Sequence, residues 1–257
     1  MRILSIDSSF GTQLLVADVL GAAADEASAA GTTLRVLTTA QQDSPRRHAE
    51  SLGPMLAAAL AHPDVAQAPL DAVVAATGPA PFTGLRAGLV TARTVGRVRA
   101  IPVYGVPSLD AVARAALDEL GRQGRETASA TVLVATDARR KEVYTARYRA
   151  RGSDDVERLG DYEVLPPAVV RERAERGQLP PPDAVAGSGA ALYPELADGG
   201  EVLVPVSGDV ATQVRIVAAR LRMLPGPGEE ALAAAGLGAQ PLYLRRPDVH
   251  MPAGRTQ

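Results

Sequence analysis

Residues 2–7 read RILSID and are followed by a turn and by QLLVADV at 13–19; residues 131–137 read TVLVATD and are followed by a turn and by EVYTARY at 142–148. Each first segment is an apolar run ending on an acid, the pattern of a strand buried on both faces. Each turn is built from residues that favour tight connections, Asp7-Ser8-Ser9-Phe10-Gly11-Thr12 in one case and Asp137-Ala138-Arg139-Arg140-Lys141 in the other. A strand–acid–turn–strand unit that occurs twice, each time opening a half with strands before helices, points to a duplicated α/β fold.

Working outward from the first unit, Thr32 to Thr39 alternates and makes a third strand of a meander. The Ala-rich stretch Gly21–Gly31 between them reads as a peripheral insertion. Ser44-Pro45 starts a helix to about Ala61, with Ala49, Leu52, Met55, Leu56, Ala59 and Leu60 at helical spacing and Pro54 expected to kink it. Leu70–Ala76 is a buried strand, Leu85–Val98 a helix, Pro102–Gly105 a strand and Pro107–Leu120 a third helix. Polar Gly121–Ser129 breaks the pattern, so we place a lobe boundary there, giving residues 1–120 and 121–257. Beyond the second unit come a strand around Tyr162–Leu165, a helix Pro166–Glu175, strands at Ala184–Ala186 and Val202–Val204, and a helix Val210–Leu224. The tail after Pro225 is rich in Gly and Pro, with Leu242 to Pro247 expected to dock as an extended segment.

Composition narrows the chemistry. The 257 residues suffice for one large or two small domains with a real core, and 46% are apolar. A net charge of -2 argues against a dedicated nucleic-acid binder. Without cysteine there is no disulfide, thiolate zinc site, iron–sulfur cluster or cysteine nucleophile. No Walker-type loop occurs, and no apolar run approaches the ~20 residues that cross a bilayer. The first residues enter a strand-like run without a basic segment, so no signal peptide is expected, and the protein is read as cytoplasmic.

The segment opening at Thr77, TGPAPFTGLRAGLVTARTVGRVRAIPVYGVPSLDAVA, is distinctive: a Gly-Pro turn, Phe-Thr-Gly-Leu-Arg, a small-residue helix, a Pro-led strand and a Pro-Ser-Leu helix start. It resembles the TsaB family, as do ILSIDSS at 3–9, RRHAESLGPML at 46–56, DARRKEVYTARY at 137–148 and YLRRPD at 243–248, all in the same order. The resemblance implies an actin-like (ribonuclease-H-like) two-lobed fold related to sugar kinases, Hsp70 and the catalytic subunit TsaD. It implies a non-catalytic subunit that works with TsaD and the ATPase TsaE in N6-threonylcarbamoylation of the tRNA adenosine next to the anticodon. On that reading tRNA is met indirectly, through the complex, and the free protein is a candidate homodimer. Two features depart from the family pattern: Ala80-Pro81 stands where Gly-Ser is usual, and the Gly21–Gly31 insertion is extra.

Individual residues support no catalytic, cofactor or metal assignment. TsaD carries a metal-binding pair of histidines four apart on the corresponding helix; here His48 is followed by Leu52, so His48 reads as a helix-start residue making a surface hydrogen bond. His62 and His250 have no ligand-type neighbours at a useful spacing. Asp7 and Asp137 sit where actin-like ATPases place a metal- or water-contacting carboxylate, yet read more simply as acceptors of turn amides. Gly187-Ser188-Gly189 is either a phosphate-facing turn or a tight strand-to-helix connection. Ser8, Ser9 and Ser188 lie in no nucleophile elbow, which removes the peptidase reading.

Gly88, Ala92 and Gly96 fall on one face of the second helix, and a glycine inside a helix costs roughly 1 kcal/mol relative to alanine. The face either packs on the protein's own sheet or admits a partner helix. Because the family is similar in using these helices for dimerization, Leu52, Met55, Leu56, Gly88, Ala92 and Gly96 are expected to form a partner interface. The clusters Arg93, Arg97, Arg99 and Arg139, Arg140, Lys141 are solvated faces or phosphate contacts within an assembly. The competing reading is a stand-alone actin-like small-molecule kinase, which would need a fuller set of carboxylates around the cleft than Asp7 and the Gly187–Gly189 turn provide.

Overall fold

A computed structural model of the chain describes residues 1–20, 31–42, 48–178, 180–198, 200–203, 205–224, 226 and 228–245. The first repeat unit forms as read. Strand β1 (Arg2–Asp7), buried along its whole length, pairs antiparallel with β2 (Thr12–Leu20), Asp7 facing Gln13, and parallel with β4 (Ala72–Ala76). With β3 (Thr33–Gln42) and β5 (Val103–Val106) the order is β3-β2-β1-β4-β5. In the second unit β6 (Thr131–Asp137) pairs antiparallel with β7 (Val143–Arg151), Asp137 facing Val143, and parallel with β9 (Ala184–Ala186). With β8 (Asp155–Leu165) the order is β8-β7-β6-β9. The topologies superpose term by term: meander, central strand, parallel neighbour. Even β5 has its counterpart, since Val202 adds one parallel bridge to Val185.

Each sheet is apolar on both faces and takes a helix layer on each. Helices α1 (His48–Ala61) and α3 (Phe82–Arg99) cover the outer face of the first sheet, setting Leu52, Leu85, Leu89 and Ala92 against Leu4, Ile6, Leu14 and Val16. The short α2 (Pro63–Ala66) follows α1. On the second sheet the outer layer is α5 (Pro167–Glu175), α6 (Ser188–Leu192) and a 3-10 turn at Pro194–Ala197, through Val170, Ala190 and Leu196.

The inner layers are exchanged. Helix α4 (Ser108–Arg122) leaves the first sheet and packs Leu109, Val112, Ala116, Leu117 and Leu120 on Val132, Val134, Tyr144 and Tyr148 of the second. Helix α7 (Val210–Arg222) leaves the second half and packs Val210, Val214 and Val217 on Ile3, Leu15, Ala17 and Val74 of the first. Division at residue 120 therefore separates the two sheets in sequence, whereas the two inner packing cores each combine both halves. Each buried Leu or Val in these layers stabilises the fold by ~1.5–3 kcal/mol relative to exposure, so neither half retains its inner core alone.

Several elements differ from the sequence reading. Val202 makes a single bridge rather than a strand, and Val204 lies outside the described residues. The Gly- and Pro-rich tail contains a helix, α8 (Glu229–Ala234), capped from Gly228. Pro54 lies inside α1, which continues past it to Ala61. Residues 21–30 of the Ala-rich insertion and Ser44 to Arg47 of the expected helix start lie outside the described residues. Among those described, no helix is long and apolar enough to cross a membrane.

Candidate functional site: the interlobe cleft and the outer helix pair

The two strand–acid–turn–strand units meet across a cavity of about 210 Å³, walled by Asp7, Ser9 and Ser108 from one side and Asp137, Arg139 and Ser188 from the other. The duplicated acids have duplicated geometry. Asp7 accepts from the Ser9 amide at 2.7 Å and from Gln213 Nε2 at 2.6 Å. Asp137 accepts from the Arg139 amide at 2.8 Å and pairs with the Arg139 guanidinium at 2.9 Å. Burial raises the Asp7 carboxyl above its ordinary value, against the pull of the Ser9 and Gln213 hydrogen bonds. Ser188 Oγ accepts from the Asp137 amide at 3.0 Å, and Ser9 and Ser108 share a hydrogen bond of 2.7 Å. The walls are thus bonded mainly to one another, with both acids closing their own turns.

Gly187-Ser188-Gly189 is a packing turn. Gly187 has φ +109°, and a Cβ there would lie 2.3 Å from the Ala135 carbonyl oxygen; at Gly189 one would lie 2.7 Å from Val143 Cγ1. The β6–β7 turn carries a feature the sequence does not announce: Arg139, Arg140 and Lys141 are all left-handed, with φ of 63°, 57° and 59°. That conformation costs roughly 1–2 kcal/mol per residue. The turn is closed by Ala138 and Glu142 backbone bonds and by Arg245 from the tail, which donates to the Ala138 carbonyl at 2.8 Å and pairs with Glu142.

Of the segment Leu242 to Pro247, the described residues 242–245 dock without helix or strand. Leu242 donates to the Thr77 carbonyl at 2.8 Å, and Tyr243 stacks at 5.0 Å on Phe82 while accepting from Arg86. Arg246 and Pro247 lie outside the described residues. Arg93, one of the basic cluster, reaches Gln240 at 2.9 Å, while Arg97 and Arg99 are exposed.

His48 is not a surface residue. It is 8% exposed, with Nδ1 3.0 Å from Thr12 Oγ1. The first turn of α3 covers it so closely that a Cβ on Gly84 would lie 2.9 Å from Nε2. That coverage is a long-range contact, invisible in the spacing of His48 and Leu52. His62 caps α2 through the Asp64 amide, and His250 lies outside the described residues. Among the described residues no three acids or histidines gather in a way that could hold a metal ion.

The small-residue face of α3 also departs from expectation. Ala92 is fully buried, a Cβ on Gly88 would lie 2.3 Å from Ser8 Oγ, and one on Gly96 would lie 2.3 Å from Val103 Cγ2. Ser8 Oγ fills the notch, donating to the Gly84 carbonyl at 2.6 Å and accepting from the Gly88 amide at 3.0 Å. Gly88, Ala92 and Gly96 let α3 approach its own sheet, and Leu52 is buried with them; Met55 and Leu56 are half-buried against the same core. Ala92→Leu should therefore overpack the interior and lower stability by ~1–3 kcal/mol, read as an earlier thermal midpoint of the isolated protein. What α3 offers outward is another row: Val90 at 63% and Val98 at 79% exposure, with Thr94 between them. Beside it α1 exposes Pro54, Ala57, Ala58 and Ala61. Apolar residues grouped on an exposed helix pair are a mark of an interaction surface.

The family model described as TsaD, tRNA N6-adenosine threonylcarbamoyltransferase, matches residues 37–194, which hold the outer helices, the small-residue helix among them, and the hairpin acid Asp137 but not Asp7. The Escherichia coli tRNA threonylcarbamoyladenosine biosynthesis protein TsaB is 30% identical over 174 residues, 65% of this chain and 71% of that protein. The chain belongs to the TsaB family. An uncharacterized Mycobacterium tuberculosis protein is 52% identical over 103 residues, 40% of this chain. That match spans only 43% of the mycobacterial relative's length. YeaZ from Pseudomonas aeruginosa shares the fold, with a TM-score of 0.68 at 24% identity over 95% of this chain and 99% of that one. The TsaB-family fold is accordingly the α/β, actin-like arrangement with its strand–turn–strand unit duplicated.

Proposed function

We propose that this chain is a non-catalytic subunit of the cytoplasmic machinery that makes threonylcarbamoyladenosine in tRNA, holding a TsaD-type catalytic subunit through the outer face of α1 and α3, with TsaE as a further partner. Family membership supports the pathway. The observation that carries the scaffold role is the exposed valine row of α3 beside the small-residue surface of α1, set against a cleft whose acids are engaged in closing their own turns. The same helix pair makes a homodimer of the free protein a natural competitor of the TsaD complex, because one surface would serve both.

Reconstitution tests this. The isolated chain should turn over no ATP and modify no tRNA. It should co-purify with the TsaD of its own organism and be required, with TsaD and TsaE, for modification of tRNA transcripts. Metal-dependent ATP turnover by the isolated chain that disappears in Asp7→Ala would replace the scaffold reading with a kinase acting from the cleft.

A further inference from the structure

Among the described residues four arginines are buried: Arg2, Arg114, Arg147 and Arg220. Three face a carboxylate, Arg2 at 2.8 Å from Asp18, Arg114 at 3.0 Å from Asp118 and Arg220 at 2.7 Å from Asp110. Arg147 is 7% exposed, and among the described residues its one hydrogen-bond partner is the Pro180 carbonyl. A buried cation without a counter-charge costs several kcal/mol, and a guanidinium does not escape by losing its proton. Burial alone, with no acid to oppose it, pulls the Arg147 pKa down.

Arg147 lies on β7 between Leu133 of β6 and Leu159 of β8, on the sheet face that α5 covers. That cover is incomplete. Two adjoining cavities of about 240 and 400 Å³ flank the guanidinium, and Leu133, Arg147 and Val170 line both. None of its nitrogens is a buried orphan, so the N–H groups not used by Pro180 border this open space. The fork of a guanidinium matches a carboxylate or a phosphate. The rest of the lining chooses between them. Leu133, Leu159, Leu165 and Val170 are apolar, and Glu163, matched by Arg173 at 2.7 Å, and Asp161 repel a polyanion.

We propose that Arg147 anchors a binding site for a small monocarboxylate with an apolar body, the carboxylate taking the free N–H groups and the body lying on Leu133, Leu159, Leu165 and Val170. The site lies on the outer face of the second sheet, shares no lining residue with the cleft and is independent of the scaffold role. The test is titration of the full chain with 4-methylpentanoate, phenylacetate and octanoate, each beside its neutral amide, and with inorganic phosphate. Calorimetry and the methyl resonances of Leu133 and Val170 report binding. At least one carboxylate should bind saturably and shift those methyls, its amide should bind at least ~10-fold more weakly, and phosphate should not compete. Arg147→Met should abolish the binding, and Arg147→Lys should weaken it by removing the fork. Equal binding of acid and amide, tighter binding of phosphate, no saturable binding by any of the three, or undiminished binding in Arg147→Met would each overturn the proposal. If Arg147→Met does not fold, the comparison of acid with amide on the native protein still decides.

Discussion

Arg220→Met is expected to cost ~3–5 kcal/mol, a large part of the ~5–15 kcal/mol that holds a domain folded, and to lower the thermal midpoint by roughly 10 °C. Arg220 stands on α7 and closes a buried network linking both halves. Its Nη2 lies 2.7 Å from Asp110 Oδ2 on α4, and its Nε donates to Asp155 Oδ1 on β8 at 2.9 Å. Tyr148 and Tyr162 donate to the other oxygen of Asp110 at 3.0 and 2.8 Å. Burial would lower the Arg220 pKa, but the two carboxylates outweigh it and hold it above its usual value. Burial, reinforced by the Asp110 charge, raises both phenols, so they remain donors. Methionine fills much of the same space and leaves two carboxylates buried without a cation. Removal of a charge partner, rather than loss of volume, sets the size of the effect.

Adding Asp110→Asn should recover part of the loss, a coupling that a double-mutant cycle measures directly. Strict additivity of the two substitutions would show that the network contributes packing only.

What was legible in the sequence was whatever short-range pattern dictates. RILSID and TVLVATD had to be central strands because apolar runs ending on an acid and a turn have few other places to go, and both acids do close their turns. The exchange of α4 and α7 was not legible, since a helix's apolar face says that it is covered but not by which sheet. The same ambiguity misled at α3: small residues at four-residue spacing serve a close sheet as well as a close partner, and Ser8 in the notch decides for the sheet. Helix α8 carries too little periodic apolar pattern in six residues to rise above its Gly and Pro neighbours. The left-handed turn at Arg139–Lys141 defies residue preference and is held by a tail residue more than 100 positions away, Arg245 to Ala138. Nothing in the sequence singles out Arg147; only the fold reveals that no acid among the described residues pairs with it.

Val90→Asp combined with Val98→Asp should leave the isolated protein's thermal midpoint nearly unchanged and weaken the proposed complex with TsaD by ~100-fold or more. Both side chains point to solvent in the monomer, so no internal atoms are displaced. Surface substitutions of this kind usually stay within about 0.5 kcal/mol. In the complex the same positions would be desolvated, and two unpaired carboxylates placed in an apolar helix–helix contact are disfavoured by a few kcal/mol in total, which is the ~100-fold. Ala92→Leu, on the opposite face of the same helix, is the internal control. It should melt early yet still bind TsaD when folded, because it perturbs the core and not the outer row. The pair of measurements, stability and binding together, assigns the two faces of the helix. If Val90→Asp with Val98→Asp bound TsaD normally while Ala92→Leu lost binding without losing stability, the partner would be reading the buried face after all, and α3 would have to leave its sheet to pair.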